Sequence, residues 1–293
     1  MRPQVRRAVG IVLLGVLIAI GCTFAGRWQW NRHVARDAQI QVVEANYDAE
    51  AVPLSAVLDS PATALTAGQE WLPVVVSGHY APDSTVLLRN RPVDGQPGYH
   101  VLVPLVVEDG AEPGSVLLVD RGYIAWGDDA SAAVDVPAPP SGSVTVTARL
   151  RLDEPPLGRS APAGQVQSIT VDEVLAAGGA AELAPSAYRG YGSLIAEEPA
   201  AEPLGGLAEP STDAGSHLSY AFQWWTFALG SLVGFAMLAR RDLRDADDQS
   251  DEGLPGERGE RKPAREPRRR RAPSAEDEED ALVDARLGQG RAR

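Results

Sequence analysis

The chain of 293 residues carries 27 basic against 40 acidic residues, a net charge of −13, with 44% hydrophobic and 6% aromatic residues. So acidic a balance argues against nucleic acid as a partner, which demands a basic face to neutralise phosphates. One cysteine, Cys22, excludes a disulfide framework, a CxxC redox pair and a thiolate zinc site, and four histidines with two methionines leave little for a protein-built metal cage or a Met-rich copper carrier.

The elements follow in chain order. Residues 1–7 hold Arg2, Arg6 and Arg7 and no acid. Residues 8–26, AVGIVLLGVLIAIGCTFAG, are an uncharged apolar run whose helical rise of about 28 Å matches the hydrocarbon thickness of a bilayer. A cleaved signal peptide competes for this run, and Ala19-Ile20-Gly21-Cys22 resembles a lipoprotein cleavage box that would lipidate Cys22. The length of the run, and its continuation through Arg27 and Arg32, favour a transmembrane helix. Residues 27–65 read as a helical connector, free of glycine and proline from Asn31 to Val52.

Residues 66–195 change character to β-branched runs at Leu72–Tyr80, Thr85–Arg91, Tyr99–Val107, Ser115–Ile124 and Ser143–Leu152. Turn signals such as Pro82-Asp83, Pro97-Gly98, Asp109-Gly110 and Ser141-Gly142 separate them, and this spacing predicts a mainly antiparallel sheet or small barrel. A further strand at Gln165–Thr170 and a short helix at Val171–Ala177 complete an α+β domain. Residues 196–217, rich in Pro, Gly, Glu and Ala, read as a linker.

Residues 218–239, LSYAFQWWTFALGSLVGFAMLA, are the second uncharged run. Core helices of a soluble protein are the alternative for both runs. Small residues at Gly15-x-x-x-Ala19 and Gly230-x-x-x-Gly234 offer surfaces for close helix approach. Residues 240–293, with acidic and basic blocks in alternation, are expected to be disordered, and Arg268–Arg271 could dock on anionic lipid.

The flanking charges set an orientation. Glu202, Glu209 and Asp213 precede the second run and Arg240, Arg241 and Arg244 follow it, which puts the C-terminal side in the cytoplasm. With two spans, both termini are then cytoplasmic and residues 27–217 extracytoplasmic, in a multi-pass protein of the plasma membrane. The outer segment holds 10 arginines against 25 acidic residues, a net of −15. Trp28, Trp30, Trp224 and Trp225 fall at its membrane boundary, the level that indoles favour.

No nucleophile elbow, HExxH or phosphate-binding glycine loop is present, so no enzymatic activity is expected. Asp120 with His100 or His79 could form an acid–base pair, but each reads better as a structural strand group; Arg89 and Arg91, and Asp120-Arg121, likewise read better as a strand-edge ion pair than as a catalytic clamp. At the membrane boundary, Trp28 and Arg32 share one helical face, and His217, Tyr220 and Trp224 share another. This pattern suits an aromatic belt with a histidine at helix entry. It also suits a porphyrin surface, with an imidazole for the iron and arginines for the propionates.

Trp28-Gln29-x-x-Arg32 after the first run and His217-Leu218-Ser219-Tyr220-Ala221-x-Gln223-Trp224 entering the second resemble the Surfeit-locus family of cytochrome c oxidase assembly factors. Between them Gly78-x-Tyr80, Asn90-Arg91, Gly98-Tyr99-His100-Val101-x-x-Pro104-Leu105 and Asp120-Arg121-Gly122 look like that family's strand motifs, in the same order. The resemblance implies a two-span protein that aids oxidase assembly around haem A insertion into cytochrome c oxidase subunit I. It gives His217 the role of haem ligand. Trp28, Gln29, Arg32, Tyr220 and Trp224 would complete a transient haem A site, with haem A synthase and the lipid bilayer as further partners. Residues 126–215 match the family poorly. The alternative is a scaffold that binds no haem and docks oxidase subunits or haem A synthase through its β-domain.

Overall fold

The computed structural model describes residues 3–93, 95–110, 112–126 and 134–252, with side chains up to Ala246. The chain forms two units, one of residues Val9–Ala239 and one of the two chain ends.

The larger unit holds most of two long helices and a β-barrel. Helix α1 (Pro3–Asn46) has 44 residues and so rises about 66 Å. Beyond Pro3 no proline interrupts it. Helix α4 (His217–Glu252) begins just past Gly215, whose φ of +66° makes the turn into it. Both helices are long and apolar enough to cross a membrane. Leu13, Leu17, Phe24, Leu229 and Met237 are each more than 60% exposed, which is not how a soluble core helix disposes its apolar residues.

The strands are β1 (Val52–Pro53), β2 (Pro73–Tyr80), β3 (Val86–Leu88), β4 (Gly98–Val107), β5 (Val116–Ala125), β6 (Val144–Arg151), β7 (Gln165–Val166) and β8 (Ala187–Glu198). The short helices α2 (Leu54–Val57) and α3 (Val171–Ala177) stand among them. The sheet runs β1-β2-β6-β8-β5-β4-β3-β7, and β2 also pairs with β4. That extra pairing closes β2, β6, β8, β5 and β4 into a five-stranded barrel.

The sheet is mixed, which corrects the expectation of a mainly antiparallel one. β5 pairs with β8 in parallel, as do β1 with β2 and β3 with β7. The cause is the crossover after β6: it passes through β7 and α3 and returns the chain to the end of the barrel where β5 starts. β8 itself is absent from the sequence reading because Gly190 and Gly192 dilute its alternation. A Cβ at Gly192 would lie 2.8 Å from the Ala148 Cβ, inside the barrel. β8 runs to Glu198, past the point at 196 where composition starts the linker.

Alternation divides the apolar side chains into two cores. Val101, Val103, Leu105, Leu117, Val119, Val146 and Leu150 fill the barrel. Leu88, Leu102, Val116, Leu118 and Tyr191 face outward and are covered by Ile169, Val171, Val174 and Leu175 on and before α3. β4 and β5 are therefore buried on both faces for most of their length.

In the smaller unit, Arg7 Nε lies 3.5 Å from Asp242 Oδ1, and Arg241 pairs with Asp245 one turn along α4. The segment from Arg240 to Glu252, expected as part of a disordered tail, is helical. Residues 253–293, including the basic block Arg268–Arg271, lie outside the described residues.

Candidate functional site

α1 and α4 meet along a seam of small residues. Ala19, Cys22 and Ala228 form a buried cluster, and Ser231 Oγ donates to the Gly15 carbonyl at 3.3 Å. A Cβ at Gly15 would lie 2.5 Å from the Phe235 Cβ, and one at Gly26 would overlap the Trp225 indole. Gly15, Ala19, Cys22 and Gly26 recur at intervals of four, three and four, the spacing of one helical face, and their small size lets the backbones approach. Gly230 and Gly234 have nothing within 4 Å of a built Cβ, so that pair does not face α1. Cys22 is buried in the seam without a disulfide partner.

At the end of the seam His217 Nδ1 lies 3.0 Å from Gln29 Oε1. With Nδ1–H donating to the amide oxygen, Nε2 carries the lone pair on a half-buried ring. One turn beyond Trp28, the Arg32 guanidinium sits 5.4 Å over its indole. Trp28 and Tyr220 are exposed, and Trp224 makes its ring contact edge-on with Phe227 of its own helix. The structure therefore joins His217 to Gln29 and Arg32 to Trp28, and leaves the rings of Trp28, Tyr220 and Trp224 open to the surroundings.

Two contributors are missing from the expected site residues. Trp225, rather than Trp224, crosses to α1, where its ring lies 6.0 Å from that of Trp30. The interval of four from the fully buried Ala221 marks this position, and a neighbouring tryptophan masks it. Arg36 donates through Nε to the Asp213 carbonyl at 3.0 Å and through Nη2 to the Ser211 carbonyl at 2.6 Å. It thus anchors the linker to α1 just before α4 begins. Among the described residues no group of three or more His, Cys, Asp or Glu is placed to hold a metal ion.

The strand motifs have separate partners. His100 Nδ1 pairs with Asp120 Oδ2 at 2.8 Å, both nearly fully buried, whereas His79 pairs with Glu108 at the surface. Asp120 and Arg121 do not pair with each other, because successive strand residues point to opposite faces. Arg121 instead turns into the barrel end, where Nη2 donates to Glu197 Oε1 at 2.6 Å and Tyr80 donates to Glu197 Oε2 at 2.9 Å. Burial, and then the charge of Glu197, push the Tyr80 hydroxyl well above its ordinary value. Arg91 donates to both oxygens of Glu154, at 2.5 and 2.8 Å, and these hydrogen bonds raise the Arg91 pKa against the effect of its burial. Gly122, at φ +143°, lets the linker close on β5: Tyr123 and Gly205 exchange two backbone hydrogen bonds, and a Cβ at Gly122 would lie 2.7 Å from Leu204.

Residues 16–229 match the SURF1 family. SURF1-like proteins of Mycobacterium bovis and of two strains of Mycobacterium tuberculosis are each 34% identical to the chain over 227 residues, covering 76% of this chain and 79% of the relative.

Proposed function

The chain belongs to the SURF1 family, generally one of cytochrome oxidase assembly factors, and from that premise we propose that it assists cytochrome c oxidase biogenesis by holding haem A for subunit I. The observation that carries this reading is the hydrogen bond from His217 to Gln29 at the entrance of the helix pair.

The donor set suits the group. Gln29 fixes the tautomer and the ring plane of His217, as outer partners of metal-ligating histidines do, and keeps Nε2 as the ligating atom. The exposed rings of Trp28, Tyr220 and Trp224 provide apolar cover for a macrocycle, and Arg32, held over Trp28, or Arg27 pairs with a propionate. Haem A, when bound, supplies the iron centre that the oxidase subunit takes up. One imidazole on an open face gives modest affinity, which transfer to subunit I requires. The role is one of binding and delivery, without catalysis.

The remaining parts of the reading concern place and partners. α1 and α4 span the plasma membrane with both termini cytoplasmic, because arginines follow the second apolar run and acids precede it. The barrel then stands outside, linked to the haem face by the extramembrane part of α1, where it can engage subunit I or haem A synthase.

The test is to purify the full chain from cells that make haem A and compare it with His217→Ala. Loss of haem content and of the Soret band in the variant is expected. Equal haem and an identical Soret band in both would overturn the ligand role and leave the barrel as the working part of a scaffold.

A further inference from the structure

A cavity of about 340 Å³ opens on the outer face of the barrel, beneath residues 207–210 of the linker. Its floor follows from strand register. Arg149 of β6 pairs with Ser193 of β8, and Ser193 pairs with Asp120 of β5, so the three side chains stand in one row on one face. Asp120 holds His100, and Arg91, Arg151 and Tyr191 complete the lining.

Two features of this floor are unusual. His100 is 6% exposed, its Nδ1 is taken by Asp120, and its Nε2 is buried with no hydrogen-bond partner. Such an atom costs free energy until something fills the space beside it. Arg149 and Arg151 are also held in place. Arg149 Nε donates to the Tyr47 carbonyl at 2.9 Å while the guanidinium stacks 3.7 Å over the Tyr47 ring. Arg151 Nε donates to Glu70 at 3.0 Å while stacking 3.6 Å over Trp71. Both are anchored through Nε, and among the described residues their Nη groups have no hydrogen-bond partner. Arg91 and Arg151 each have a carboxylate within 4 Å, in Glu154 and Glu70. Among the described residues Arg149 has none, and Glu209 is the linker's one acid on the rim.

We propose that this cavity binds a small soluble organic anion together with a proton: its carboxylate or phosphate head accepts from Arg149 and from the Nε2–H of a His100 imidazolium whose Nδ1–H donates to Asp120. The volume lies within the range of small-molecule sites and exceeds what one bridging water fills. The arginines are fixed before the ligand arrives, so little side-chain entropy is lost on binding. Asp120 orients His100 as the partner of a recognition imidazole does. The site is independent of the haem reading. Tyr47 follows the end of α1, which rises about 25 Å beyond Gln29, so one ligand cannot reach both.

The experiment uses the full chain in detergent with two probes, inorganic phosphate and succinate, each titrated by calorimetry and by 15N NMR of the histidine rings. Saturable binding of at least one probe at millimolar concentration or below, with a shift at His100 Nε2, is expected. Phosphate alone would assign a phosphate-bearing ligand, and succinate alone a carboxylate. Arg149→Gln should weaken binding by about tenfold or more, while Arg149→Lys keeps part of it. His217→Ala should bind the probe as the wild type does, and Arg149→Gln should keep its haem, so failure of either proposal is seen separately. His100→Gln provides a second variant should Arg149→Gln not fold. Absence of binding by both probes, or undiminished binding in Arg149→Gln, overturns the proposal.

Discussion

One hydrogen bond decides what His217 can offer. Gln29 accepts from Nδ1, which leaves Nε2 as a base and a ligand; without Gln29 the imidazole can rotate and change tautomer. Gln29→Leu should therefore weaken haem retention about 10–100-fold with the Soret position unchanged, a result read by titrating the purified variant with haem. Unaltered affinity would show that Gln29 has no part in the site. The Arg91–Glu154 pair makes a prediction of a different kind. Burial alone pushes the Glu154 carboxyl up, but the hydrogen bonds from Arg91 and from the Ile169 amide outweigh it and hold the group below its ordinary value. A carboxylate with a depressed folded pKa adds stability that is complete above its unfolded value and is lost as pH falls through the folded one. The wild type should thus lose about 1 kcal/mol more than Glu154→Gln between pH 5 and pH 3, measured by denaturant unfolding of both proteins. Asp153 beside it shifts upward through burial and acts oppositely in the same window, so the difference between the two proteins is the quantity to read. A parallel loss in both would remove the pair from the acid response.

At the scale of elements, the helix pair depends on which glycines face the partner helix. Gly26→Leu places a side chain where Trp225 packs and should cost about 1–3 kcal/mol in the association of α1 with α4, with loss of haem retention. Gly230→Leu meets open space and should change neither. Thermal unfolding of both variants in detergent compares them, and equal effects would refute the seam. The sequence made both glycine patterns equally attractive, since spacing alone cannot say which side of a helix meets another. The Trp224-Trp225 pair is ambiguous in the same way. His217, Trp28, Gln29 and Arg32 were legible because they sit in motifs beside an apolar run. Arg36 was not, because its partners are backbone carbonyls of a linker 175 and 177 residues away. β8 escaped for a related reason: two of its inward positions are glycines that only a closed barrel explains.

For the whole molecule, the charge distribution predicts the sidedness of the chain. In a Cys22→Ala background, a cysteine at Ser141 should react with an impermeant maleimide on intact cells, and one at Asp245 only after permeabilisation. Reversed labelling would turn the topology over. The amino-acid sequence by itself determined the two apolar helices, the β-rich segment between them, the segregation of acidic charge and the motifs that point to the family, because these are local properties of hydropathy, alternation and spacing. Tertiary structure decided the closure of the barrel through β2–β4, the parallel pairing of β5 with β8, the pairing of His100 with Asp120 beside three arginines, and the hydrogen bond of Gln29 with His217. Each of these joins residues far apart in the chain. Register and packing choose such partners, and a local pattern carries no record of them.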